Sequence, residues 1–238
     1  IHVIAPCNWM ANTARASGTT FDRLSVIPYG IDTALYRPMD KEKVRRKLGL
    51  ASNKPIVLLS AGDITDKRKG MRDAIDALTK SYPDINPLVL VVGKMQPETR
   101  VLFESLDVFE TGYLRDDKKK AEYFAAADVF LFCPLDDNMP LTILETMATE
   151  TPMVGYATGG IPEVVEHERT GYLARKGDVT DVIRGLQQAL IGRQAMEWGR
   201  EARRVVERQY THEQFLLKHI ELYSSIRALG SLVAASVK

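Results

Sequence analysis

Residues 137–145 read Asp-Asn-Met-Pro-Leu-Thr-Ile-Leu-Glu, and the rest of the chain is organised around this stretch. It follows the apolar run 128–132, which has the β-branched and aromatic character of a buried strand. From Leu141 onward the apolar residues recur at helical spacing. The stretch is therefore predicted to be a loop that joins a buried strand to a helix, which is the repeating unit of an α/β fold.

Two carboxylates frame the predicted start of this helix. Asp137 and Asn138 stand where an N-cap residue is expected, and Pro140 is tolerated in a first helical turn. Glu145 lies further along the helix. The unpaired backbone N–H groups of a helix N-terminus can bind an anion such as a diphosphate. Taken alone, two acids at a helix start indicate only capping and a solvated face. The choice between this interpretation and an anion-binding site therefore depends on the rest of the chain.

Strands and helices alternate regularly beyond residue 53. The pattern predicts strands at residues 55–61, 88–93, 108–111, 128–132, 152–156 and 171–174. Helices are predicted at residues 70–80, 97–106, 116–127 and 141–149. Short buried strands separated by helices indicate a doubly wound, Rossmann-like parallel sheet, and ligands of such sheets bind at the carboxyl ends of the strands.

The two ends of the chain have their own patterns. Residues 1–6 and 24–28 are typical of strands, and residues 8–17 are typical of a helix between them. From residue 178 to residue 229 the chain is predicted to be helical, with Gly185, Gly192 and Gly199 as breaks or packing points. Residues 231–238 are expected to form a frayed tail.

Composition excludes several classes of protein. The 238 residues are 45% hydrophobic and 26% charged, with a formal net charge of +1, so nothing favours nucleic acid as a partner. No apolar run reaches the roughly 18 residues that a membrane helix needs. The two cysteines and four histidines lack metal-ligand spacing, which favours a reducing, cytoplasmic compartment and no metal site. Dinucleotide-binding and P-loop glycine motifs are absent from the sequence.

A basic loop follows the first strand of the regular alternation. Lys67, Arg68 and Lys69 precede Gly70, which is predicted to open a helix. Positive charge, close backbone approach and a helix dipole together suit a pyrophosphate. The alternative is a solvated basic turn without a ligand.

A glycine turn completes the pattern after the strand at residues 152–156. Residues 158–163 read Thr-Gly-Gly-Ile-Pro-Glu. An acid, seven further residues and a Glu, followed by a helix, a strand and Gly-Gly-x-Pro-Glu, resemble the donor-binding half of a family 4 glycosyltransferase, a retaining enzyme of the GT-B fold. The resemblance runs from about Ile1 to Tyr223. It implies an acceptor-side remnant at residues 1–22, a nucleotide-sugar-binding domain at residues 23–205, and a final helix with a tail at residues 206–238.

The resemblance also implies roles for individual residues. Lys69 would contact the donor diphosphate, and Glu145 would accept hydrogen bonds from the ribose hydroxyls, for which a carboxylate offers two oxygens. Asp137 would contact the transferred sugar as the catalytic acidic residue. Asp63 stands where the family has a phosphate-binding Arg, so either Arg68 substitutes for it or the site is weakened.

The remaining donor contacts implied by the resemblance involve the backbone. The N–H groups of Leu141 and Thr142 would bind the distal phosphate. The base would be held beside Gly112 and Tyr113. Gly159 and Gly160 would shape the loop beside the donor, whereas Glu163 is expected to be structural.

The expected function is transfer of a sugar from a nucleoside-diphosphate sugar to an acceptor hydroxyl, without a metal or other cofactor. The acceptor would be a glycan, a polysaccharide or a lipid-linked sugar, bound by the other domain. Two alternatives remain: a non-catalytic nucleotide- or sugar-binding module of the same fold, and a GT-B-type sugar-nucleotide epimerase. The basic cluster at residues 41–47 is interpreted as the exposed face of a short helix, with weak peripheral contact to the inner face of a membrane as the alternative.

Overall fold

The computed structural model describes residues 1–50, 53–64 and 66–236, with side chains described as far as residue 228. A six-stranded parallel sheet forms the centre of the molecule. Its strands are β3 (Ile56–Asp63), β4 (Leu88–Lys94), β5 (Asp107–Glu110), β6 (Val129–Phe132), β7 (Met153–Tyr156) and β8 (Gly171–Ala174). Two preceding strands, β1 (His2–Ala5) and β2 (Arg23–Val26), form a separate parallel pair.

The helices cover both faces of the sheet and continue to the end of the described chain. They are α1 (Asn8–Ala16), α2 (Lys41–Leu48), α3 (Met71–Ile85), α4 (Pro97–Arg100), α5 (Asp117–Ala126), α6 (Leu141–Ala148), α7 (Val179–Leu190), α8 (Ala195–Gln209) and α9 (His212–Ser236). Short 3₁₀ turns occur at Lys67–Lys69, Val101–Phe103 and Ile161–Glu163.

The apolar strands explain why helices lie on both sides of the sheet. Successive strand residues point to opposite faces, so Leu58 and Phe130 pack into one core cluster, while Val57 and Leu131 pack into the other. All four side chains are at most 1% exposed. A sheet whose strands are apolar on both faces must be covered on both, and the predicted doubly wound fold is confirmed.

The strand order fixes where a ligand can bind. The order across the sheet is β5-β4-β3-β6-β7-β8, so the chain moves outward in one direction from β3 and then in the other from β6. Diverging connections leave a crevice at the carboxyl ends of β3 and β6, which is where doubly wound sheets bind their ligands. The basic loop after β3 and the loop at residues 133–140 after β6 both lie at this edge.

Two predicted helices differ from the observed ones. The helix predicted at residues 70–80 continues to Ile85 despite Pro83, because Ile85 and Ser81 are buried and the Ser81 hydroxyl bonds the carbonyl of Ala77. The helix predicted at residues 97–106 is instead α4 followed by a 3₁₀ turn. Val101 and Leu102 are exposed there, so no continuous apolar face is available to hold a longer helix against the sheet.

The basic cluster at residues 41–47 is only partly an exposed helix face, so that interpretation was wrong in part. Arg45 is buried and its Nη2 lies 2.7 Å from Asp128 Oδ2, while Lys41 Nζ lies 3.0 Å from Asp128 Oδ1. Burial would raise the pKa of the Asp128 carboxyl, but the two cations and a hydrogen bond from the Ile56 N–H outweigh it and lower the pKa. These contacts hold α2 against the amino-terminal ends of β3 and β6.

The carboxy-terminal region is helical as predicted, with Gly192 in the break between α7 and α8, whereas Gly185 and Gly199 lie inside helices. The backbone of α9 remains helical as far as Ser236, so the predicted frayed tail is helical up to that residue, and residues 237–238 lie outside the described part. Within the described ranges, no helix has both the length and the apolar character needed to cross a bilayer.

Candidate functional site

A cleft of about 620 Å³ opens at the carboxyl ends of β3 and β4, beside α5 and α6. Its size is within the range of small-molecule sites. Three predicted donor-binding residues, Tyr113, Thr142 and Glu145, line it. Another cavity, of about 470 Å³, lies at the opposite edge of the sheet, and none of the predicted site residues lines it.

Two predicted residues from separate loops meet at the same edge, close to the end of β6. Lys69 Nζ lies 2.6 Å from Asp137 Oδ2 and 5.6 Å from the centre of the Phe132 ring. Both charged side chains are largely buried, which strengthens their attraction relative to a pair in water. The structure therefore places a cation and a carboxylate as one unit where the sequence predicted two separate contacts to the donor.

Close backbone approaches hold both loops in this position. Gly70 adopts φ +62°, and a Cβ there would lie 1.6 Å from the carbonyl oxygen of Cys133. Gly159 adopts φ +59°, and its Cβ would lie 1.7 Å from the carbonyl oxygen of Asp137. The next N–H, that of Gly160, donates to the Asn138 carbonyl at 2.7 Å. Glycine is needed at positions 70 and 159, because any side chain would push the two loops apart.

The start of α6 corrects the predicted N-cap. Pro140 occupies the N-cap position in an extended conformation, and no side chain caps the helix. Asp137 instead binds Lys69, so the carboxylate expected to cap the helix is already engaged. The first N–H groups of α6 have no partner within the helix, and those of Leu141 and Thr142 are among them. This helix start remains suited to an anion.

Glu145 is the centre of a charged group that the sequence did not predict. It is 8% exposed, and its Oε1 lies 2.9 Å from Lys120 Nζ on α5. The same ammonium lies 3.1 Å from Asp117 Oδ1 and 5.4 Å from the centre of the Tyr36 ring. In the sequence, Lys120 is marked only by its position next to Ala121 on the inward side of α5. A lysine at such a position is easily interpreted as a solvated charge.

Arg68 lies apart from this group. Its Nη2 lies 2.8 Å from Asp66 Oδ2, its side chain is 73% exposed, and it does not line the cleft. The Arg68 carbonyl instead accepts a hydrogen bond from the Leu135 N–H at 2.7 Å. Asp63, the acid at the expected Arg position, ends β3 opposite Lys94. The structure thus brings Lys69 to the loop after β6 but leaves the Arg68 guanidinium with Asp66.

The loop expected to hold the base borders the cleft. Gly112 adopts φ +69°, and its carbonyl accepts a hydrogen bond from the Gly93 N–H at 3.1 Å, which holds the loop against the end of β4. Tyr113 is 64% exposed and lines the cleft, so its ring is available for stacking. Arg115, which the sequence did not single out, also lines the cleft.

Glu163 has the structural role predicted for it. One of its oxygens accepts hydrogen bonds from the backbone and side-chain amides of Asn8, and the other accepts one from the Trp9 N–H at 2.6 Å. Partial burial would raise the pKa of this carboxyl, but the hydrogen bonds outweigh it and hold the pKa below its usual value. Glu163 therefore ties the glycine loop to the start of α1.

In the part of the chain that the structure describes, no group of three or more His, Cys, Asp or Glu side chains is placed to hold a metal ion.

Comparison with known proteins identifies the family. The model of the family described as glycosyl transferases group 1 matches residues 55–191, which include the whole cleft-forming part of the sheet. The chain belongs to this family. Among curated relatives, N-acetyl-alpha-D-glucosaminyl L-malate synthase of Bacillus anthracis is 27% identical over 210 residues, covering 82% of this chain and 52% of the relative. Alpha-maltose-1-phosphate synthase of Mycolicibacterium smegmatis is 34% identical over 167 residues, covering 64% of this chain and 42% of the relative.

Solved structures give the same fold. Sucrose-phosphate synthase from Thermosynechococcus elongatus superimposes with a TM-score of 0.85 and 26% identity, covering 96% of this chain and 59% of that one. Anabaena HepE in complex with UDP and glucose gives a TM-score of 0.80 and 23% identity, covering 94% and 63%. The GT-B resemblance is thus confirmed, and the chain spans about half the length of the curated relatives it matches.

Proposed function

We propose that this chain is the nucleotide-sugar-binding half of a retaining, metal-independent glycosyltransferase. It would present a nucleoside-diphosphate sugar so that the sugar passes to an acceptor hydroxyl. One observation carries the proposal. One edge of the sheet holds both the Lys69–Asp137 pair and a nucleotide-sized cleft, which is lined by Thr142 at the uncapped start of α6 and by the buried Glu145.

Each group has a distinct part in the proposed chemistry. Glu145 accepts hydrogen bonds from the ribose diol, and the loop at Gly112 and Tyr113 lies beside the base. When the bond between the anomeric carbon and the phosphate breaks, negative charge develops on the leaving diphosphate. Lys69 and the N–H groups at the start of α6 stabilise that charge without having to reorganise. Asp137 orients the sugar and holds Lys69 in place.

The comparisons support this assignment in outline. Curated relatives include N-acetyl-alpha-D-glucosaminyl L-malate synthase and alpha-maltose-1-phosphate synthase, and HepE has been seen with UDP and with UDP-glucose. UDP is therefore a sensible first probe of this cleft. The retaining outcome rests on the resemblance to family 4, and the metal-free mechanism rests on the cation and helix start at the proposed diphosphate position.

The test is calorimetry of the 238-residue chain with UDP, GDP and ADP, each with EDTA and with Mg²⁺. We expect at least one diphosphate to bind with the same affinity in both conditions. Strict dependence on Mg²⁺ would overturn the metal-free proposal. Absence of binding by all three nucleotides, in a chain shown to be folded by circular dichroism, would overturn the donor-site proposal itself.

We further propose that the acceptor, a glycan, polysaccharide or lipid-linked sugar, is bound by another part of the full protein in the cytoplasm. On this proposal the 238-residue chain alone transfers no sugar, because orientation of acceptor against donor supplies much of the rate. Comparable rates of product formation by this chain and by the full-length protein would contradict it. Lys43, Arg46 and Lys47, exposed on α2, would be the contact to an anionic membrane.

A non-catalytic binding module is the second candidate, and the ion pairs favour it. Lys69 is neutralised by Asp137 and Arg68 by Asp66, so less positive charge is free for a leaving diphosphate than the sequence suggests. The full-length protein with a nucleotide sugar separates the two functions: a module binds the donor but leaves the bond between anomeric carbon and phosphate intact for as long as the donor itself is stable.

A further inference from the structure

We propose that Lys120 is a positioning residue for nucleotide binding: it holds the Glu145 carboxylate turned so that one oxygen is left for the ribose diol. The inference rests on the proposed donor site and deepens it. Neither the family pattern nor the spacing of the motifs pointed to Lys120.

The geometry divides the two oxygens of Glu145 between two tasks. Oε1 accepts a hydrogen bond from Lys120 Nζ at 2.9 Å. Oε2 accepts none from the described residues, and it is not sealed off from solvent, since Glu145 lines the cleft. A charged carboxylate oxygen has lone pairs to accept two hydroxyl groups. Lys120 therefore fixes one oxygen and leaves the other for a diol.

Without Lys120, the charges around Glu145 would be unfavourable. Among the described residues, Lys120 and Asp117 from α5 and Tyr36 from the segment before α2 form one charged cluster with it. Asp117 has the same sign as Glu145, so Lys120 is the counterion of both carboxylates. Without this cation, repulsion between the two carboxylates would turn Glu145 away from the position in which it lines the cleft.

Lys120 is itself held in place and kept charged. Burial would lower the pKa of its ammonium, but hydrogen bonds with Tyr36, Glu145 and Asp117 outweigh burial and raise the pKa. The backbone of Tyr36 is held in turn, because Arg203 Nη1 donates to the Tyr36 carbonyl at 2.7 Å and to the Ala148 carbonyl at 2.8 Å. A flexible side chain is thereby ordered before any ligand arrives, so little entropy is lost on binding.

The experiment compares Lys120→Met, Lys120→Arg and the control Lys119→Met, an exposed lysine on the same helix. Whichever of UDP, GDP and ADP binds the unmodified chain most tightly is used together with its 2′,3′-dideoxy analogue. Calorimetry at pH 7.5 gives the dissociation constants, and circular dichroism checks that each variant is folded.

We expect Lys120→Met to weaken binding of the ribonucleotide about tenfold at pH 7.5, the loss of one charge-assisted contact. Lys120→Arg should restore most of it, and Lys119→Met should stay within twofold. The loss should disappear with the dideoxy analogue, which has no diol.

Equal affinity of Lys120→Met and the unmodified chain for the ribonucleotide would overturn the inference while leaving the donor site intact. An equal loss for the dideoxy analogue would also overturn it, since Lys120 would then contact another part of the nucleotide or act through the fold. If the unmodified, folded chain binds none of the three diphosphates, the proposed function fails first, and the two failures are thus distinguished.

Discussion

Replacing Gly159 by alanine is expected to destabilise the protein by displacing Asp137. The new Cβ would lie 1.7 Å from the Asp137 carbonyl oxygen, whereas such atoms essentially never approach within 3.0 Å, so the two loops must separate. An alanine in the left-handed region costs about 1 kcal/mol. Losing the hydrogen bond from the Gly160 N–H to the Asn138 carbonyl costs about 1 kcal/mol more, and separating the two loops adds to both, so the total is roughly 2–3 kcal/mol.

A second glycine provides the matched control. Gly177 also has a positive φ, of +81°, but no other described atom lies within 4 Å of a Cβ built there. Gly177→Ala therefore carries the backbone strain without the collision. For a chain of this size about 1 kcal/mol corresponds to roughly 2–4 °C in Tm. We expect thermal unfolding to show a fall of about 5–10 °C for Gly159→Ala and about 2–4 °C for Gly177→Ala.

The same variant also tests the site. Moving Asp137 breaks its 2.6 Å contact with Lys69, so binding of a nucleotide sugar should weaken more than binding of the bare diphosphate. Calorimetry with UDP and UDP-glucose gives both constants. If Gly159→Ala unfolds at the same temperature as Gly177→Ala, the reasoning that the glycine turn supports Asp137 is wrong.

Two further predictions concern carboxylates. Glu145→Ala should weaken binding of a nucleoside diphosphate at least tenfold, and more than Asp137→Ala does, because only Glu145 is assigned to the ribose; equal losses in calorimetry would show that the two roles are misassigned. Glu163→Gln should lower the Tm at pH 7, because the paired carboxylate accepts hydrogen bonds from Asn8 and Trp9. The pKa of Glu163 is lowered in the folded state, so its contribution is fully present above the unfolded pKa of about 4.3 and is lost as the pH falls through the folded value. Unfolding curves of the two proteins should therefore converge below about pH 4, and a constant difference from pH 7 to pH 3 would contradict this account.

Much of the fold was predictable because it depends on local patterns. The apolar runs at β3, β4, β6 and β7 could only be strands buried on both faces, and the helices between them allowed only a parallel sheet. Helix ends were less predictable. The extension of α3 through Pro83 and the division of residues 97–106 depend on which side chains the rest of the fold buries.

The candidate site, like the fold, was predictable only in part. The sequence by itself determined that Lys69, Asp137, Glu145 and the glycine turn follow strands of one parallel sheet, and therefore share its carboxyl edge. Only the tertiary structure decided the partners at that edge. It pairs Lys69 with Asp137 and Glu145 with Lys120. Hydrophobic periodicity records which face of an element is buried, but an ion pair depends on the distance between side chains from different elements, and that distance is set only when the helices pack on the sheet.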